Sequence, residues 1–276
     1  MEDQLILKMS GLPARPLFVV RPSKRDQQQL IKFATAFRTL RLQALKESAA
    51  SYTETYAEVA SRPFESWVAW IREHNGLIHM VFAFDDDTQC RTDEWLLEHG
   101  KALGMAVNTG PVPQERFLCP HGSELPLNRP DAQEVRIYSN QLYFVPDLRG
   151  KARAYAHTAF TLDCDNWLME KLLAKGQDPP AVARFRGVVI PGAYHAKLLE
   201  FYARNGWYIA GKLSWSDVVM ADGGEEGVKQ ARGLGYDMTK LYTVVETTVT
   251  VPQLRWRIGR AKALMAAAEK EASSKL

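Results

Sequence analysis

EVRIYSNQLYFVPDLRGKARA, residues 134–154, changes character twice in a short span. From Glu134 to Val145 the apolar, β-branched and aromatic residues Val135, Ile137, Leu142, Tyr143, Phe144 and Val145 read as a strand. Pro146 ends it, Arg149-Gly150-Lys151 forms a short basic turn, and Ala154, Ala156, Phe160, Leu162, Trp167, Leu168, Leu172 and Leu173 continue as a long helix. A helix N-terminus leaves backbone N–H groups unpaired and carries partial positive charge, so such a turn suits an anion. Arg149, Lys151 and Arg153 add formal charge, while the small Gly150, Ala152 and Ala154 let a diphosphate approach the backbone. From composition alone, a basic turn that merely closes a strand fits equally well.

The flanking sequence alternates strand and helix signals. Upstream, Phe18–Arg21 reads as a strand. From Asp26 onward Leu30, Phe33, Ala34, Phe37, Leu40 and Leu45 recur at helical spacing, in one helix or two in series. Pro63 opens a helix carrying Trp67, Trp70 and Ile71, and Leu77–Phe84 and Lys101–Val107 are strands. Residues 111–133, with five prolines, read as an irregular loop of the kind that borders functional surfaces. Downstream come a strand over Phe185–Ile190, a helix over His195–Tyr202 with an Asn205-Gly206 C-cap, and a strand over Trp207–Leu213. Residues 221–236, rich in glycine, are expected to be a flexible insertion before the β-branched run Leu241–Val251. A last amphipathic helix spans Arg255 to about Ala272. Its Trp256, Ile258, Leu264 and Met265 suit either packing on the same chain or a homodimer. The division expected is one domain over 1–252 and a C-terminal helix and tail over 253–276.

Composition excludes several classes. With 276 residues, 46% hydrophobic and 24% charged, the chain matches a globular protein, and a net charge of +3 is too small for a dedicated nucleic-acid binder. No apolar run is long enough to cross a membrane and the N-terminus lacks a signal-like run, so no membrane association and a cytoplasmic location are expected. Cys90, Cys119 and Cys164 are odd in number and far apart, which argues against a disulfide framework. The histidines form no HExxH, and Cys119-Pro120-His121 lacks further ligands at recognisable spacing, so no metal is expected. The acids Asp163 and Asp165 read as a solvated helix face.

The run Leu142–Ala154 resembles the coenzyme A pyrophosphate motif of the GNAT acyltransferase superfamily: a strand ending in V-x-P-x-x-R-G-x-G/A-x-G/A that opens a helix. Leu40–Pro63 is similar to the first two helices of many members, and Ala196–Trp207 to the late motif in which a Tyr-bearing helix ends just before a G-F or G-W strand. The resemblance covers roughly residues 18–251. It implies an α+β fold, with a central mixed, mostly antiparallel twisted sheet of six to seven strands flanked by helices and splayed at the coenzyme site. The chain departs from the motif at Ala152, where glycine is usual, and at Arg153, where an apolar residue commonly packs.

By the same resemblance, Leu142, Tyr143, Phe144 and Val145 would pair with the pantetheine arm, and Arg149, Gly150, Lys151, Ala152, Arg153 and Ala154 would hold the pyrophosphate of acetyl-CoA or another acyl-CoA. Tyr202 stands where many members place the tyrosine that protonates the departing thiolate. Read from the residues alone, it is also a plausible core tyrosine beside Phe201. Glu134 and His195 are the general-base candidates. Tyr52, Thr53, Tyr56 and Tyr138 are candidates to line an acceptor pocket, with exposed hydroxyls the alternative for the first three. The activity implied is acyl transfer to a small-molecule amine by direct attack. The alternatives are a GNAT fold put to other small-molecule chemistry, such as decarboxylation or cyclisation, or to ligand binding, and, less favoured, acetylation of protein lysines.

Overall fold

Asp26 starts the first helix by accepting the N–H groups of Gln28 and Gln29 at 2.9 and 3.1 Å, and helix α1 then runs unbroken over Gln27–Glu47. In the computed structural model, which describes residues 17–83, 92–123, 129–146, 148, 151–173, 182–192, 195–233, 235–260 and 263, α1 buries every apolar position named for it. Short helix α2 (Tyr56–Ala60) opens on a capping box between Thr55 and Glu58, and α3 (Phe64–Glu73) buries Trp67 and Ile71. The remaining helices are α4 (Asp93–His99), α5 (Lys151–Leu173), α6 (His195–Arg204) and α7 (Trp215–Gly233). Residues 251–260 form α8, whose first turn is closed by reciprocal bonds between Thr250 and Gln253.

The strands are β1 (Leu17–Val20), β2 (Gly76–Ala83), β3 (Lys101–Thr109), β4 (Glu134–Phe144), β5 (Val182–Val189), β6 (Tyr208–Ser214) and β7 (Leu241–Thr250). They make one seven-stranded sheet in the order β1-β2-β3-β4-β5-β7-β6. Every pairing is antiparallel except β4 with β5, which is parallel. The mixed, mostly antiparallel sheet flanked by helices is therefore as expected. Helices cover both faces: neighbouring β4 residues point to opposite sides, Tyr143 reaching Glu47 of α1 while the Phe144 ring stacks 5.4 Å from Phe160 of α5.

The parallel pair is short. Partners run from Glu134 with Val182 to Ser139 with Gly187, although β4 continues to Phe144 and β5 to Val189. Immediately after Ser139 the β3–β4 register skips Asn140, so β4 carries one extra residue there. Such a bulge bends its strand. Beyond it β4 stays with β3 and β5 stays with β7, and the two central strands part.

Two expectations are corrected. Residues 221–233 are not a flexible insertion: they extend α7, which kinks at Gly224 where the backbone takes φ 63°. Glycine accommodates that angle without strain, so one residue that looked like a loop signal instead joins two helical stretches. At the C-terminal end the helix begins at 251 rather than Arg255. Leu254 is its fully buried anchor, packed with Trp167, Leu168 and Leu172 of α5, whereas Trp256 is 61% exposed. Residues 264–272 of the expected helix lie outside the described residues.

Phe33→Ala should lower unfolding free energy by about 3–5 kcal/mol, as for other buried phenylalanines. Trp256→Ala should change it by less than about 0.5 kcal/mol. Urea denaturation of both variants checks this burial assignment.

Candidate active site

Where β4 and β5 part, a cavity of about 780 Å³ opens through the sheet. Its walls come from Ser139–Val145 of β4, Phe185 and Val188–Ile190 at the end of β5, His157, Thr158, Phe160, Thr161, Cys164 and Asp165 of α5, and His195, Leu198 and Tyr202 of α6. Glu47 and Tyr52 line it from the α1 side. The backbone edge of β4 is exposed to this space. The Val145 N–H donates to Leu103 of β3 at 2.9 Å, so by strand alternation Leu142 and Phe144 turn their backbone groups toward the gap. A strand edge turned toward such a space can take an extended, amide-bearing arm as an added strand.

Tyr202 sits at the apex of the gap. A Cβ on Gly187, the last β5 residue paired with β4, would lie 3.5 Å from the Tyr202 hydroxyl. The ring is fixed by Trp207 at 5.2 Å and Phe201 at 5.7 Å. α6 stops where it must for this: the Trp207 N–H returns to the Tyr202 carbonyl at 3.0 Å and Gly206 takes φ 78°, a Schellman closure that seats Trp207 beside the tyrosine. Burial pushes the phenol up to about 12, so the group holds its proton across the working range of pH.

The other candidates separate sharply. His195 lines the cavity, with Nε2 3.0 Å from Thr243 Oγ1. Glu134 does not line it. Its carboxylate is buried against Arg184 at 2.7 Å and Arg136 at 3.1 Å and accepts the Arg129 N–H at 2.9 Å, so it anchors the parallel pair and does not face an acceptor. Tyr138 is likewise corrected: buried against Phe117, it accepts a hydrogen bond from Arg186 at 2.9 Å on a part of the sheet away from the cavity. Of the α1–α2 candidates, Tyr52 lines the cavity, Thr53 does not, and Tyr56 is exposed beneath the Lys46 ammonium. Leu142, Tyr143, Phe144 and Val145 all line it. Arg149 and Gly150 lie outside the described residues. Lys151, Ala152, Arg153 and Ala154 form the first turn of α5, as expected, and their side chains also lie outside.

Sequence reading missed polar groups on the α5 wall. Asp165 is buried and Asp163 half-buried in an ion-paired cluster, not a solvated face. His79 Nδ1 donates to Asp163 at 2.7 Å, and Arg21 holds the same carboxylate at 2.8 Å. Burial works against the Asp163 charge, but His79 and Arg21 outweigh it and keep the carboxyl below its ordinary range. Asp165 pairs with Arg257 of α8 at 2.8 Å, and burial, outweighing that partner, pushes its carboxyl up to about 7. These partners are distant in sequence, so no local pattern announced them.

Solved structures similar to this chain include acetyltransferases. An N-acetyltransferase from Staphylococcus aureus Mu50 is 14% identical, with 85% of this chain and 98% of that chain covered and a TM-score of 0.40. A GNAT-family acetyltransferase from Listeria monocytogenes 4b F2365 is 10% identical, with 89% and 100% covered and a TM-score of 0.38. Arabidopsis thaliana NAA60, in complex with acetyl-CoA, is 11% identical, with 84% and 98% covered and a TM-score of 0.39. No protein-family model and no curated protein matches the chain. Among the described residues no helix is long and apolar enough to cross a membrane.

Asp165 makes stability depend on pH. Its carboxyl ionises near 3.8 in the unfolded chain but near 7 when folded, so this group weakens the fold as pH rises from about 4 to 7. Asp165→Asn, which mimics the neutral acid, should match the wild type in urea midpoint at pH 4 and exceed it at pH 8.

Proposed function

We propose that this chain is a divergent GNAT acyltransferase that moves an acetyl or other short acyl group from acyl-CoA to the amine of a small molecule. The observation that carries the reading is the parted β4–β5 pair with the Tyr202 hydroxyl over Gly187 at its apex. Acetyl-CoA fits the residues present. The edge of β4 at Leu142 suits the amides of a pantetheine arm, and the start of α5, preceded in sequence by Arg149-Gly150-Lys151, suits a pyrophosphate.

In this reading the acceptor nitrogen attacks the thioester carbonyl, a C–N bond forms and the C–S bond breaks. Tyr202 donates its phenolic proton to the leaving sulfur, which suits a phenol held near pKa 12. The proton lost by the amine passes to His195 directly or through water; of the two bases considered, it is the one that lines the cavity. The aromatic Tyr52 wall favours a small, partly apolar acceptor over a protein tail.

Calorimetry should find acetyl-CoA binding to the wild type and its loss in Gly150→Glu, whose carboxylate repels a pyrophosphate. Tyr202→Phe should keep that binding and lower kcat by about 10²-fold or more. Binding without turnover of any amine would favour the ligand-binding alternative, and no wild-type binding would sink the use of acetyl-CoA.

A further inference from the structure

The main cavity continues past Tyr202, and α5 measures how far. In its second turn the His157 ring meets Phe201, the neighbour of Tyr202, edge-on at 5.2 Å. Two turns later, about 12 Å further along the helix axis, Asp165 and its partner Arg257 of α8 also line the cavity. Other wall residues on this side are apolar: Phe160, Cys164, Phe185 and Trp207. The last three pack in one apolar cluster with Leu254 of α8, and burial keeps the Cys164 thiol protonated. Three polar wall residues, Thr161, Asn205 and Thr247, already donate to the backbone carbonyls of His157, Phe201 and Gly206 at 3.0, 2.7 and 3.1 Å.

Arg257 is different. Its Nε donates to Asp165 at 2.8 Å, and its side chain is 33% exposed against 3% for Asp165. Nη1 and Nη2 take no other partner among the described residues, and neither is closed off from its surroundings. Asp165 neutralises the guanidinium only in part, since burial raises its carboxyl to about 7. This side of the cavity therefore offers apolar walls and a cation with two open donors.

We infer that this space is an acyl-chain subsite in which Arg257 binds a carboxylate at the far end of the chain, so the preferred donor is the coenzyme A thioester of a short dicarboxylic acid, such as succinyl-CoA. This rests on the acyltransferase reading for the placement of the coenzyme arm. An arm that starts at the first turn of α5 and reaches Tyr202 carries its acyl group onward along the same helix, toward Asp165 and Arg257. The amine then arrives from the opposite face, where Glu47 and Tyr52 line the cavity. Methylene groups lie against Cys164, Phe185 and Trp207, and the terminal carboxylate accepts charge-assisted hydrogen bonds from Nη1 and Nη2. The transfer balances as before: the C–S bond breaks, a C–N bond forms, Tyr202 protonates the leaving sulfur and the amine proton passes to His195. The product is an amide that keeps a free carboxylate.

The test is calorimetric binding of succinyl-CoA and butyryl-CoA, equal in chain length and different in the terminal carboxylate, to the full chain without acceptor. Succinyl-CoA should bind tenfold or more tightly. Arg257→Met removes both Nη donors and should bring the two affinities to within about twofold of each other. If that variant does not fold, Arg257→Met combined with Asp165→Asn, which leaves no buried carboxylate without its partner, decides. Equal binding of the two thioesters by the wild type, tighter binding of butyryl-CoA, or a preference that persists in the folded variant would overturn the inference and leave the acyltransferase reading standing. Binding of neither thioester, nor of coenzyme A itself, would overturn both.

Discussion

Everything at the centre of this fold depends on how far β4 and β5 stay hydrogen-bonded. They are the parallel pair in an otherwise antiparallel sheet, and they remain together only to Ser139 and Gly187. If the ladder continued, β4 and β5 would close on each other beyond Ser139 and the sheet would have no opening. The extra residue at Asn140 prevents this by turning β4 away while its bonds to β3 persist. Gly187, the last β5 residue paired with β4, lies next to the Tyr202 hydroxyl, and a Cβ there would press on Val245 at 3.2 Å.

A strand pair that must end abruptly has to be held firmly where it exists. At the closed end of the β4–β5 pair, Val135, Ile137, Ala183 and Phe185 join an apolar core, and the alternate residues form a buried ionic lattice: Glu134 joins Arg136 to Arg184, and Glu246 joins Arg184 to Arg186, with Phe117 stacked 3.6 Å from the Arg186 guanidinium. Losing one member of such a set strands its partner in a medium of low polarity, so geometry here is enforced by the cost of breaking it. The lattice pins β4, β5 and β7 together at one end, and beyond the bulge β4 parts from β5 at the other.

Much of this was legible in the sequence. Apolar spacing marked α1, alternation and β-branching marked the strands, and the 134–154 run announced a strand, turn and helix that the structure contains. Tyr202 and Leu142–Val145 were found through a motif, and they do meet in one cavity. What escaped detection shares a cause. Glu134 looked like a general base and Tyr138 like a pocket group because Arg184 and Arg186, which claim them, lie on another strand. Asp163 and Asp165 looked solvated because His79, Arg21 and Arg257 come from remote parts of the chain. Glycine at 224 was read as a loop signal, although one positive φ angle is enough to bend a helix without ending it. The bulge at Asn140 has no local signature, since only the register of β3 against β4 defines it.

The walls of the main cavity join Tyr52, early in the chain, to Arg257 in the last described helix. On the ribosome, the antiparallel meander from β1 to β4 is complete long before α8 emerges, and its local contacts are the kind that form quickly. The walls of the cavity are complete only once β5, α6 and Arg257 of α8 have joined them. A small molecule that binds the assembled cavity draws this closing step forward by mass action, according to its free concentration relative to its dissociation constant.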